Sequence, residues 1–215
     1  MATLKPLEEL LKSDPIHKAF VLRNRETGEV RPLGLIDNYE IMKGLELSEK
    51  VSEDIQTAFV VVRTLWLYGW FCYPFYTLAT FHAFLCLEMA LRRKCQLEKY
   101  HEPDWPKDED RSPGLARLIK AAIKNNWITD AGIRHAQAIR NSPPDELDLI
   151  EGYQQMAAGP EPWESDHQHY CKVLAETIPY LRNESAHPKM YFHGIPESID
   201  IQNTHDIIEQ LFNIQ

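Results

Sequence analysis

The sequence predicts an all-α protein: a bundle of four or five main helices with a small β-hairpin near its start. Three observations carry this. From residue 48 onward, apolar residues recur at helical spacing in several long stretches. Prolines, glycines and polar clusters separate those stretches where helices should end. Strand-like alternation is confined to residues 18–35, on either side of the polar turn Glu26-Thr27-Gly28-Glu29. Residues 1–47 read as an extension holding the hairpin, and residues 48–215 as the helical bundle domain.

In order, residues 3–12 fit a short amphipathic helix, followed by the hairpin. Ser48 suits the cap of a long helix, since its hydroxyl can accept free backbone N–H groups. Val51, Ile55, Ala58, Phe59, Val62 and Trp66 then repeat on one face. Gly69 to Pro74 is a break, and a second long helix follows over about 75–99. Phe75, Leu78, His82, Leu85, Cys86 and Met89 form one of its stripes; Phe81, Phe84, Glu88, Leu91 and Cys95 form the next. Apolar nearly all round, it belongs at the bundle centre. Residues 101–112 are a solvated loop rich in proline and acids. Ser112-Pro113 opens a helix to about Asn126, and Thr129 caps another over about 130–141. A short helix near 145–157 and a linker at 159–162 precede a helix over about 163–187. After a loop at 194–199, Asn203 or Thr204 should cap the last helix.

Composition narrows the function classes. Thirty-two acids against 23 bases give the 215-residue chain a formal charge of −9, which argues against broad adhesion to nucleic acid but leaves room for a local basic pocket. Cys72, Cys86, Cys95 and Cys171 form no CxxC pair and read as reduced, mostly buried thiols of a cytoplasmic protein. The N-terminus lacks the basic and apolar regions of a secretory signal. Between Arg63 and His82 lie 18 uncharged residues, a length that calls for a membrane check. Gly69, Pro74 and the many aromatic residues favour two buried helices meeting at a turn, so no membrane association is expected.

The segment richest in chemistry is Arg182-Asn183-Glu184-Ser185-Ala186-His187, or R-N-x-x-A-H, followed by Pro188. Residues four apart on a helix lie about 40° apart around its axis, so Asn183 and His187 share a face. Leu174, Ile178 and Leu181 mark the apolar seam beside Arg182. Pro179 removes the hydrogen bond to the Ala175 carbonyl and should bend the helix. His187 sits in the last turn, where the helix dipole and nearby Glu184 favour its protonated form. A near-neutral imidazole can give or take a proton. Arg182 offers a rigid fork to phosphate oxygens. Asn183 can orient the imidazole or bond the substrate. A capped, solvated helix end accounts for the same residues without catalysis.

This segment resembles the signature of the HEPN superfamily: an arginine, four to six residues and a histidine, with a polar residue directly after the arginine. Here Arg182 and His187 give R-x4-H, with Asn183 in the polar place. FHAFLCLEMALRRK, containing Glu88, resembles an earlier bundle helix of that superfamily, and LARLIKAAIKNNWI the segment that follows it. The resemblance covers about residues 50–214. It implies a helical bundle that forms a homodimer through the motif helix. It also implies a metal-independent endoribonuclease with Arg182, Asn183 and His187 of both subunits in one cleft and no cofactor. Such enzymes use the RNA 2′-OH as nucleophile and leave a 2′,3′-cyclic phosphate. Members occur in toxin–antitoxin, abortive-infection and antiviral systems, so a cognate antitoxin or neighbouring defence protein is an expected partner besides RNA. Other members have lost catalysis and bind RNA or a protein; a regulatory subunit is a third reading.

The supporting residues are Glu88, Arg92 and Glu184. Glu88 lies among apolar residues and needs a partner. Arg92, one turn on, is the preferred one, and Arg182 across the bundle the alternative. His167, His169 and Cys171 form H-x-H-x-C, but His169 points away from the other two and no second ligand pair has a suitable spacing, so no metal is expected. Arg134-His135 reads as a surface pair that can line a substrate groove. Arg140-Asn141 and Arg23-Asn24 repeat the Arg-Asn pair without a following histidine.

Overall fold

The computed structural model describes residues 5–23, 27–102, 105, 113–141, 168–186 and 198–213. Seven α-helices and one hairpin make up these residues, with three short 3-10 turns. Strands β1 (Val21–Arg23) and β2 (Val30–Pro32) pair antiparallel with Leu22 opposite Arg31. The turn between them needs Gly28, whose φ is +72°, in the left-handed region that glycine enters without a Cβ clash.

The chain start departs from expectation. Where a helix over 3–12 was expected, the described residues 5–12 hold only a 3-10 turn, Leu7–Glu9. Leu7 and Leu11 are exposed, so no apolar face is buried to stabilise a helix there. An unexpected helix, α1 (Leu35–Lys43), follows the hairpin. The Asp37 carboxylate accepts the Gly34 N–H at its start (2.8 Å) and two bonds from Arg31. Bonding from Arg31 holds that carboxyl down at about 2.

Helix α2 (Glu53–Tyr68) begins four residues later than a cap at Ser48 predicts. The Ser48 backbone N–H donates to Glu209 Oε1 (2.6 Å), its hydroxyl accepts from Asn213 Nδ2 (3.4 Å), and Val51 N–H closes a separate turn on the Ser48 carbonyl. Groups distant in sequence thus engage Ser48, and Ser52 takes the cap position. Gly69 ends α2. A Cβ there would stand 2.7 Å from the Tyr76 ring, so glycine lets that aromatic pack against the turn. Helix α3 (Pro74–Leu97) starts on a proline, whose missing N–H costs nothing in a first turn. By length and composition α3 is apolar enough to cross a membrane, with half of that apolar window buried in the protein. The 18-residue uncharged run is thus divided between two helices.

Helix α3 is the hub, packing against α2 and against α4 (Leu115–Lys124), α6 (His169–Ala186) and α7 (Ile199–Asn213). Phe59, Phe84, Leu87, Leu91, Ile119, Ile178 and Ile208 are all essentially inaccessible. Each such side chain contributes ~1.5–3 kcal/mol by leaving water.

The segment after Thr129 forms a 3-10 turn, Asp130–Gly132, before α5 (Arg134–Arg140). The cap predicted at Asn203 or Thr204 is also corrected. Helix α7 begins at Ile199, and both residues are buried within it, Asn203 donating to the Tyr170 hydroxyl (3.0 Å). The Asn203 amide nitrogen thus serves a tertiary contact that local sequence does not reveal, while Asn203 Oδ1 and Thr204 Oγ1 are buried without a hydrogen-bond partner. The helix predicted at 145–157, the linker at 159–162, most of the loops at 101–112 and 194–199, and Arg23-Asn24 beyond its first backbone residue lie outside the described residues.

Candidate functional site

The motif helix α6 is fixed at both ends, by different chemistry. At its start lie the Tyr170 and Cys171 N–H groups. Both donate to the carboxylate of Asp130, at 3.0 and 2.9 Å. Asp130 is fully buried and ion-paired with Arg140 (3.0 Å), itself mostly covered. A carboxylate against the positive end of the helix dipole is favourable. Gln168, just before the helix, donates its amide to the Ile123 carbonyl (2.8 Å) and to Asn126 Oδ1 (2.9 Å), tying α6 to the end of α4.

Leu174, Ala175 and Ile178 are buried along α6, as the apolar seam requires. Pro179 lies inside the helix. Beyond it the Arg182 side chain is about one-third exposed. Its Nη2 lies 3.6 Å from Glu88 Oε2 on α3, while Arg92 Nη2 reaches the other oxygen of Glu88 at 2.5 Å. Glu88 therefore has both partners weighed from the sequence: a tight local bond to Arg92 and a looser ionic contact to Arg182. Its side chain is only 17% exposed, so two guanidinium groups share one largely desolvated carboxylate.

Arg182 Nε is buried without a hydrogen-bond partner, and its Nη1 comes only within 3.5 Å of Asn183 Oδ1, at the outer limit of a bond. Arg182 is thus held in place while Nη1 stays loosely engaged at the exposed side. Asn183 itself is exposed. The site nearby includes Cys95, whose thiol burial pushes up to about 11 despite the pull of Arg92, so it is no nucleophile. His187 and the side chain of Glu184 lie outside the described residues, so the structure brings together Arg182, Asn183, Glu88 and Arg92.

The other candidates resolve differently. His167 lies outside the described residues, and the Cys171 side chain is buried in the core. Among the described residues, no three His, Cys, Asp or Glu side chains cluster as metal ligands. Cys72 is exposed and the other three cysteines are buried, all four as free thiols. Arg134 turns back to Asp206 on α7, 2.7 Å away. Burial would raise the Asp206 carboxyl, but bonds from His205, Arg134 and the backbone hold it below the usual carboxylate range. His205 Nε2 approaches the Glu46 carbonyl (3.2 Å). With both of its ring nitrogens engaged, His205 locks α7 to the preceding chain. His135, expected on a surface, is half-buried against the Tyr170 ring.

Sequence reasoning missed Asp130, Gln168 and the role of Arg140. Only Asp130 left a signal: an acid beside the cap residue Thr129, in a segment otherwise apolar at Ile128 and Ile133. No protein-family profile, curated protein or solved structure matches this chain.

Proposed function

We propose that this protein is a metal-independent endoribonuclease of the HEPN type, acting on RNA as a homodimer through α6. The observation that carries the reading is the Arg182 guanidinium, anchored on Glu88 at a partly exposed helix end five residues before His187, with Nη1 only loosely engaged by Asn183. In this mechanism one His187 withdraws the 2′-OH proton as the oxygen attacks the adjacent phosphorus. The second subunit's counterpart protonates the departing 5′-oxygen, leaving a 2′,3′-cyclic phosphate. The two Arg182 groups stabilise charge gathering on the phosphorane-like transition state. One imidazole per chain serves poorly as base and acid in a single turnover, which is why two subunits are required. DNA lacks the nucleophile and is inert. The cytoplasm is the matching compartment, and a toxin or antiviral effector with a cognate neutralising protein the matching context.

A second reading has its own support. The chain carries a net charge of −9, and Glu88 occupies part of the Arg182 fork. Both favour a catalytically silent HEPN module that binds RNA or a protein. Incubation with total RNA in EDTA, scored for cyclic-phosphate ends, separates the two. Cleavage that disappears in Arg182→Ala and in His187→Ala, with the oligomeric state kept, supports the nuclease. Folded wild-type protein that leaves RNA intact but retards it in a gel supports the silent module. Undiminished cleavage by His187→Ala removes the assignment.

A further inference from the structure

Helix α3 is apolar nearly all round, yet its neighbours cover only part of it. Phe84, Leu87 and Leu91 face the core and are inaccessible. The stripe Phe75, Leu78, His82, Leu85 and Met89, which the sequence also places at the bundle centre, stays at least partly in water. Leu78 is 44% exposed and Met89 39%. Continued to Arg92, the stripe has spacings that alternate between three and four residues, the 3.5-residue period of a helix-pairing seam. Charge is sparse along it. Residues 64–87 contain no Asp, Glu, Lys or Arg, where the chain's 26% of charged residues would put about six. A solvated helix face carries charged and polar residues, whereas the centre of an interface is depleted of charge.

The seam is complementary to itself. Paired antiparallel about a point between His82 and Leu85, Leu78 meets the partner's Met89, His82 meets the partner's Leu85, and Arg92 meets the partner's Phe75. The one charged position then faces an aromatic ring, which suits a guanidinium, and not its own copy. Residues 75–92 span about 25 Å. One helix pair of that length buries less than the roughly 800 Å² per partner of a standard interface, so association belongs in the micromolar range.

We propose that two copies of this chain associate through the outward stripe of α3, paired antiparallel across a two-fold axis between His82 and Leu85. This rests on the homodimer reading for the second copy and moves the centre of the contact from α6 to α3. Glu88, at the edge of the stripe, holds Arg182 of α6, so α6 flanks the contact. An antiparallel two-fold lies in the contact plane at right angles to α3 and leaves each flank on its own side. Both Arg182 groups therefore border the same edge of the dimer.

Sedimentation velocity of the full chain without RNA, from about 1 to 200 µM, tests this. The expected result is a monomer–dimer equilibrium. Leu78→Glu and Met89→Lys change positions that are well exposed in the single chain, so both variants should fold. Each sets a charge against an apolar residue of the partner and should weaken association at least about tenfold. Combined in one chain they should restore association to within about threefold of wild type, because the new charges meet across the antiparallel pair. A protein monomeric throughout this range overturns the proposal, and binding of that monomer to phosphatidylcholine vesicles would assign the stripe to lipid instead. Single variants that associate like wild type, or a double variant no tighter than the singles, also overturn it. A dimer with these responses that leaves RNA intact keeps the interface and removes only the nuclease.

Discussion

Replacing Asp130 with alanine should destabilise the protein by about 3–4 kcal/mol. The change removes the acceptor of the Tyr170 and Cys171 N–H bonds at 3.0 and 2.9 Å. Loss of a capping side chain alone costs about 0.5–2 kcal/mol. The same change leaves Arg140 without its buried counter-ion, and breaking a buried pair from one side costs about 3–5 kcal/mol. The two contributions overlap, and Arg140 keeps 28% of its side chain in water, which lowers the second one. Asp130→Asn preserves one acceptor oxygen and the shape, so it should cost about half as much. Urea denaturation at neutral pH measures both, and hydrogen exchange should show the first turn of α6 opening before the core of α3. A loss below about 1 kcal/mol for Asp130→Ala would refute the claim that this carboxylate pins the motif helix.

Three further outcomes follow from the same geometry. Glu88→Gln removes the charge that anchors Arg182 and should lower RNA cleavage roughly tenfold, equivalent to about 1.4 kcal/mol of transition-state stabilisation, with the oligomeric state unchanged; cleavage at the wild-type rate would show that the anchor is dispensable. Gly69→Ala drives a Cβ to 2.7 Å from the Tyr76 ring and should cost about 1–3 kcal/mol by thermal denaturation. Burial holds the His135 imidazole below its ordinary range, so the unfolded chain takes up that proton first as pH falls. Stability linked to His135 is therefore full above the unfolded value near about 6.5 and declines as pH drops toward the folded value. Wild type should lose more stability than His135→Gln between pH 7 and 5, and parallel losses in urea titrations would contradict this.

The helical class, the hairpin, the break between Gly69 and Pro74 and the central place of α3 were all legible in the residue order. Each rests on chemistry within one or two turns: apolar spacing, a glycine that permits a turn, a proline tolerated only in a first turn. Glu88 was legible as a carboxylate in need of partners, and Arg92 as one of them, because residues four apart on a helix must be neighbours. What periodicity missed was set by groups distant in sequence. The Ser48 hydroxyl accepts from Asn213 instead of capping a helix, and Asn203 and Thr204 are drawn into the interior of α7. Arg140, unremarkable in the sequence, becomes the counter-ion of the buried aspartate that starts α6. Hydrogen-bond capacity belongs to a residue, but its partner belongs to the fold. The sequence alone therefore determined the longer helices, α2, α3, α4, α6 and α7, and which of their faces are apolar. Only the packing of α3, α5, α6 and α7 decided that Arg182 meets Glu88 and that Asp130 holds the far end of the same helix, because through-space pairing at 3 Å leaves no period in the chain.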